Sequence, residues 1–564
     1  MNSLFLVLIG LAMLLTGYLL YSKFLGQRVY RLSESYETPA HTMEDGVDYV
    51  PTNKYVLWGH HFTSVAGAAP IIGPAVAVIW GWLPAFLWVT LGTVFFAGMH
   101  DLGALWASQR HRGQSIGTLS GRYIGARGRN LFLVVIFLLL LMVNTAFAVV
   151  ISNLLIATPS AVIPTWGAIL VAVLIGQAIY RLKWNLPLVS VVGVVALYAL
   201  MVIGDRVPLA LPETVMGIPD RGIWIILLFV YAFFASMLPV WVLLQPRDYI
   251  NGLQLFVGLI ILYASFFIVR PEIVAPSINE AVPEGTPSIF PLLFVTIACG
   301  AVSGFHGIVA SGTSAKQLDK ETDARFVGYF GAVGEGLLAL GTIVATTGGY
   351  KTIADWENVY NEWNAGGVNA FVEGGGALMN QGLGIPTSLS ATILATMAVL
   401  FAATTMDSGV RLQRMVVGEI GQIMGVKLSG LAATIIAVGA ALGLTFSTGL
   451  DGSGGMIIWP LFGTTNQLMA GLTLAVLVVI LTRLRRPTLP LLIPLAFVTL
   501  MSLWAAVLQL RTLFEAGNWL LLAIDVVIII CAIWVIVEAI TAISKARREP
   551  AVEWEDTPVH EPAQ

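Results

Sequence analysis

The sequence predicts an all-α polytopic membrane protein of about 15 transmembrane helices. It reads as a 5+5 inverted-repeat core with one amino-terminal and four carboxyl-terminal helices around it. Three observations carry this reading. Of 564 residues, 57% are hydrophobic and only 11% charged, with a mean hydropathy of +0.84; a soluble chain needs far more charge to cover its surface. Apolar runs of about 20 residues recur, the length that crosses a ~30 Å hydrocarbon core. The basic residues gather on one side of those runs, as membrane topology requires.

The runs lie at roughly 3–22, 55–79, 82–108, 130–157, 165–180, 187–204, 222–245, 251–270, 288–312, 325–347, 387–408, 428–447, 456–481, 489–510 and 518–544. The first has neither a basic start nor a small-residue cleavage site, so it reads as a retained helix. Alternating spans divide the loops into two sets. One set holds 24 of the 29 Lys and Arg residues and the other five. The basic side is cytoplasmic, which puts the amino end outside and the carboxyl end in the cytoplasm. The expected units are an amino-terminal helix and linker (1–54), a first repeat (55–204), a second repeat (222–408) with an outer loop (348–386), carboxyl-terminal helices (428–545) and a polar, disordered cytoplasmic tail (546–564). Cys299 and Cys531 both fall in apolar runs, which argues against a disulfide framework or a cysteine-based zinc site. Scattered basic residues give no support for nucleic-acid binding.

Three spans depart from plain Leu, Val and Ile. The second carries "HHFTSVAGAAPIIGPA" (60–75), the seventh "FFASMLPVWVLLQPRDYING" (233–252) and the ninth "TIACGAVSGFHGIVASGTSAKQ" (296–317). Pro removes a backbone donor and Gly weakens a helix. Such residues also serve close helix packing. Their positions favour breakage: the second and seventh spans each open a set of five, and the two sets are oppositely oriented. Interrupted segments at matching positions of inverted halves point to a transporter's midplane site. The expected donor ends lie near Pro70–Pro74 and near Pro239, where a partial positive charge suits an anionic group.

The stretches "WGHHFTSVAGAAPIIGPAVAVIWGWLPA", "MLPVWVLLQPRDY", "FVTIACGAVSGFHGIVASGTSAKQ", "GYFGAVGEGLLAL", "TTMDSGVRLQR" and "WPLFGTTNQLMAGLTL", between residues 58 and 474, resemble the carbon starvation protein family, CstA, and the likeness runs from about residue 25 to residue 480. The resemblance implies an inner-membrane importer induced under nutrient limitation, for peptides and, in some relatives, for pyruvate with a proton. It also implies the leucine-transporter-like fold of the amino acid–polyamine–organocation superfamily. The chain is shorter than the longest enterobacterial members, and substrate choice does not carry over.

In that architecture the first and sixth core helices hold substrate and the eighth helps bind the coupling ion. Carried over, the substrate candidates are Ser64, Gly67, Ala68 and Pro70 on the second span, and Ser236, Pro239 and Trp241 on the seventh. The ninth adds Ser303, Gly304 and His306. Trp241 serves equally as an aromatic anchor, and Asn144 as a lining residue or an interhelical hydrogen bond. For ion coupling the candidates are Glu335, His306, Ser311 and Thr313. Glu335 lies about 15 Å into its span at ~1.5 Å per residue, where a carboxylate can take up and release a proton or hydrogen-bond a neighbouring helix. Imidazole titrates near neutral pH.

His60, His61, Asp101, Asp248 and Asp407 are expected at gates: Asp101 pairing with an arginine of the following loop, Asp407 with Arg411 four residues on, and Asp248 with Arg247. Asn466 and Gln467 are polar inside a span, as packing glue or an accessory path. No cofactor beyond the coupling ion is expected; the ion is a proton, with sodium as the rival, held by carbonyls and the hydroxyls of Ser311, Thr313 and Ser314. The partners are a small carboxylate or peptide and the lipid bilayer, and oligomeric state is not readable. The chain is not expected to be an enzyme. An alternative of another class is a haem- or metal-binding redox protein using His60, His61, His100 and His306, although no Cys-x-x-Cys-His run occurs.

Overall fold

A computed structural model describes residues 2–363, 365–452 and 454–550. It is mostly helical and multi-pass. Among the described residues, 12 helices are long and apolar enough to cross a membrane, or up to 13 if a bent pair counts as one span.

Helix α1 (Ser3–Val29) starts beside the loop that follows residue 270, because the Ser3 N–H donates to the Pro271 carbonyl at 3.0 Å. The bent pair is α2 (Lys54–Ala66) and α3 (Ala69–Trp80), set at 44°. Gly67 makes the bend at φ +54° and ψ −158°, backbone that costs other residues about 1–3 kcal/mol. Pro70 sits at the second position of α3, where its missing N–H leaves no hydrogen bond unmade. Then come α4 (Trp82–Gln109), the long α5 (Ala126–Ala157), and α6 (Pro159–Arg181) with α7 (Leu186–Arg206), which pack together as a hairpin.

Helix α8 (Asp220–Met237) stops one residue before Leu238, and α9 (Leu244–Val269) begins after a connector. This corrects the expectation for the seventh span: Pro239 lies between two consecutive helices and not in the middle of one. The ninth span is the one that breaks. It consists of α10 (Ile289–Thr296) and α11 (Gly304–Gly312) separated by residues 297–303.

Helix α12 (Glu321–Gly348) follows. The 349–386 segment contains a short helix, Ile353–Val359, closed by a Thr352–Asp355 capping box, and α13 (Gly367–Leu383). Helix α13 packs on α3, α9, α12 and α14 (Thr387–Ile423) as a cap. The chain ends with the short apolar α15 (Gly430–Thr445), α16 (Trp459–Arg483), α17 (Leu489–Glu515) and α18 (Trp519–Arg548). Helix α16 is wholly buried in its apolar stretch, enclosed by α17, α18, α5 and α11. Since α18 continues to Arg548, no separate tail begins at 546; the tail residues 551–564 lie outside the described residues.

The packing has a pattern. Helices α5 and α14 lie against each other through the centre. Helix α2 packs most heavily on α9, and α11 on α4 and α16. Helix α3 rests on α12. Helices α8 and α15 each touch both α5 and α14.

Candidate functional site

The two breaks meet backbone to backbone. A methyl group added to Gly73 would stand 2.6 Å from the Thr296 carbonyl oxygen, so only glycine permits the approach of α3 to the end of α10. Unwound backbone inside a membrane must find partners within the protein, and side chains of two other helices, α14 and α16, supply them. Thr404 and Thr405 of α14 donate to the Thr63 and Ser64 carbonyls at the end of α2, at 2.7 and 3.0 Å. Asn466 of α16 accepts from the Phe305 N–H at 2.8 Å and from the Ser303 hydroxyl at 3.1 Å. Its neighbour Gln467 donates to the carbonyls of Phe294 and Val302, both at 3.0 Å. Asn466 and Gln467 therefore act as glue for the second break.

Beside this junction lies a buried polar chain. Asp101 of α4 holds His100 Nδ1 through Oδ1 and His306 Nδ1 through Oδ2, each at 2.9 Å. The far nitrogen of His306, Nε2, is 3.3 Å from Glu335 Oε2 on α12. All four side chains are at most 1% exposed. Asp101 thus pairs with two histidines and not with a loop arginine. Although adjacent, His100 and Asp101 reach each other.

A second buried cluster sits on the other side of the α2 break. His60 Nδ1 is 2.7 Å from Asp248 Oδ2, which also accepts from Ser64 at 3.2 Å. Ser408 and Ser64 share a hydroxyl–hydroxyl hydrogen bond of 2.9 Å. Arg247 forks onto Asp248 Oδ1 through Nε and Nη2, at 2.9 and 2.6 Å, and its Nη1 donates to Tyr231 at 2.7 Å and to Asp407. Asp407 lies well inside α14, which runs 16 residues further to Ile423, so the expected Asp407–Arg411 pair is replaced by Asp407–Arg247. Arg411 instead pairs with Asp48 in the loop before α2 and donates to the Leu238 carbonyl at 2.7 Å. Burial opposes ionisation of Asp48, but the charges of Arg411 and Lys316 outweigh it and hold the carboxyl below its ordinary range.

The remaining candidates divide. Gly67, Ala68 and Pro70 lie at the first break, and Ser303 in the second, bonded to Asn466. Gly304 is a packing position, since a methyl there would be 2.4 Å from Met469 Cβ. His61 Nδ1 meets Ser314 at 2.9 Å. Ser311 bonds back to Gly307 at 2.7 Å and accepts from the Ile116 N–H at 3.0 Å, which ties it to the loop after α4 and away from Glu335. Thr313 lies just past α11, its N–H bonded to the Val309 carbonyl at 3.0 Å. Ser236 closes on the Phe233 carbonyl within α8, and Trp241 packs edge-on against Tyr180; with Pro239 they form the α8–α9 connection, away from the helix breaks. Asn144 makes the interhelical bond, donating to Gln413 at 2.7 Å.

The sequence reading paired Arg247 with Asp248, as the structure does, but missed its bond to Asp407, and it put Cys299 simply in an apolar run. The stretch "PVWVLLQPRDY" carries Pro and Asp, as a solvated loop does, so nothing local marks Arg247 as buried. Cys299 Sγ in fact lies 3.4 Å from both Ser303 Oγ and Asn466 Nδ2.

The family model described as "Carbon starvation protein CstA" matches residues 2–355 and 350–505. The chain is 31% identical to the peptide transporter CstA of Bacillus subtilis, over 98% of this chain and 99% of that protein. It is 32% identical to the Helicobacter pylori peptide transporter CstA, over 86% and 78%. With the Escherichia coli pyruvate/proton symporter BtsT it shares 28% identity, again over 86% and 78%. In three dimensions it is similar to a manganese transporter of Eremococcus coleocola, with a TM-score of 0.51 and 11% identity over 89% of this chain and 99% of that one. That likeness extends to the fold alone.

Proposed function

The chain belongs to the carbon starvation protein CstA family, and on that premise we propose that it imports small carboxylates, pyruvate or short peptides, by proton symport through alternating access in the inner membrane. The observation that carries this reading is the buried Asp101–His306–Glu335 chain beside the junction of two broken helices. Relatives named for peptide transport and for pyruvate/proton symport support the substrate class and the ion.

The packing pattern supports a 5+5 repeat with revised boundaries. Its first half runs from α2 to α9, with the α6–α7 hairpin inserted, and its second from α10 to α16. Under this pairing α2/α3 corresponds to α10/α11, α4 to α12, α5 to α14, α8 to α15 and α9 to α16. The mates run in opposite directions through the membrane, and their contacts match: α2 on α9 as α10 on α16, α3 on α12 as α11 on α4. The amino end then faces outside, as the distribution of Lys and Arg favours.

In the cycle we propose, the substrate carboxylate docks at the donor end of α3, which has no side-chain cap. A proton taken up by Glu335 passes inward by way of His306, whose Nδ1 is held by Asp101. Since the clusters at the breaks are buried, the structure corresponds to a closed arrangement, and rocking of the broken helices against α5 and α14 would open each face in turn. The test is Glu335→Gln in proteoliposomes. Uptake driven by a pH gradient should vanish while counterflow of preloaded substrate persists; driven uptake by the variant would refute proton coupling at Glu335.

Sodium coupling is the second reading. It is favoured by the oxygens of Ser64, Ser408 and Asp248 gathered at the carbonyl end of α2. Uptake that follows a sodium gradient at equal pH would establish it.

A further inference from the structure

We propose that Cys299, His306 and Glu335 form a binding site for a borderline divalent transition-metal ion of the Zn2+ and Co2+ class. One ligand atom from each of the three lies within 4.8 Å of the others, and all three side chains are buried. They come from three segments: Cys299 from the unwound stretch 297–303, His306 from the first turn of α11, and Glu335 from the middle of α12. The site is therefore assembled by tertiary structure and not by a sequence motif.

Four observations point to a ligand. His306 Nε2 and Glu335 Oε1 are buried with no hydrogen-bond partner among the described residues, although buried polar atoms are nearly always satisfied. Asp101 accepts from His306 at Nδ1, which leaves the Nε2 lone pair directed at Glu335. A carboxylate on the outer nitrogen is the support that metal-bound histidines require. The 3.3 Å between His306 Nε2 and Glu335 Oε2 is the separation of two ligands on one ion with bonds of about 2.0–2.1 Å. Finally, Ser303 and Asn466 contact Cys299 Sγ, so the sulfur, although in the core, has polar groups against it.

Charge and softness select the ion. A thiolate and a carboxylate together neutralise a divalent cation, which makes its burial between helices tolerable. Imidazole and thiolate favour Zn2+ and Co2+ over Mg2+ and Ca2+, which prefer all-oxygen shells. Binding displaces the Cys299 thiol proton and any proton on His306 Nε2 or Glu335, so metal and protons compete for the same lone pairs. A bound ion would brace α11 and α12 through the unwound stretch.

The proposal is tested at equilibrium, without substrate or gradient, so its outcome is separate from that of the carrier reading. Purified protein in detergent at neutral pH is titrated with Co2+ and followed by absorption. One equivalent should give a thiolate-to-cobalt charge-transfer band that Zn2+ abolishes. Cys299→Ser should remove the band and Cys531→Ser keep it; Asp101→Asn should weaken binding ~10–100-fold, the usual cost of losing such a support. If Cys299→Ser does not fold, Glu335→Gln carries the test, with a loss of at least about tenfold expected for one ligand. Absence of Co2+ binding, binding without the thiolate band, or a band that survives Cys299→Ser would each overturn the site.

Discussion

Replacing Arg247 by leucine tests whether the cluster around Asp248 is held by charge balance. Arg247 faces two carboxylates, Asp248 and Asp407, with His60 on the first of them, and each of these side chains is at most 3% exposed. Removing the guanidinium strands two buried carboxylates with a single imidazole. Stranding a buried charge costs ~3–5 kcal/mol, or about two to four powers of ten in an equilibrium constant. Asp407→Asn is milder, because the forked Arg247–Asp248 pair survives and one charged hydrogen bond is lost, about 1.5–3 kcal/mol. The double variant Arg247→Leu/Asp407→Asn should recover part of the loss, with a coupling of at least ~1 kcal/mol between neighbours. The assay is retention of the monodisperse peak after heating in detergent, read as an apparent melting temperature. The single arginine variant should melt lowest, Asp407→Asn should lie between, and the double variant above the arginine variant. If Arg247→Leu melts with the parent protein, or the double variant is simply additive, charge balance does not hold this cluster together.

Asn466→Ala should destabilise by ~1–3 kcal/mol, because the Phe305 N–H loses its buried acceptor; equal melting of parent and variant would show that the second break needs no such partner. Gly73→Ala should cost ~1–3 kcal/mol through overpacking against the Thr296 carbonyl, whereas Gly439→Ala, with open space around it, should not destabilise. Asp48 has a depressed pKa in the folded chain. Its contribution to stability is therefore complete above the ordinary Asp value of about 4 and is lost as pH falls through the depressed folded value. Melting temperature against pH should show this acid loss in the parent, and Asp48→Asn should flatten it.

The membrane class, the order of the spans and the first break were legible because each rests on local chemistry. Apolar length marks a span, and Gly67 with Pro70 marks a bend. The second break was assigned to the wrong span for the same reason. Pro239 and Pro246 are strong local breakers, but they only shape the connection and first turn of α9. The stretch 297–303 contains no proline, and what holds it open is Asn466 and Gln467, more than 160 positions away. The ion pairs failed in the same way. Asp407 has a plausible partner four residues on, yet it bonds to an arginine 160 positions distant, because α14 does not end where its apolar character does. Glu335 and His306 were found singly by their depth and chemistry, but only the fold shows that they touch.

The threonines, asparagine and glutamine that meet the kinked carbonyls and amides have a wider consequence. They give each kink a resident solvation shell of protein groups, supplied by α14 and α16. A kink solvated in this manner does not depend on water reaching it, so each elbow can keep its shape whatever the hydration around it. The helical limbs on either side can then tilt without the elbows being refolded.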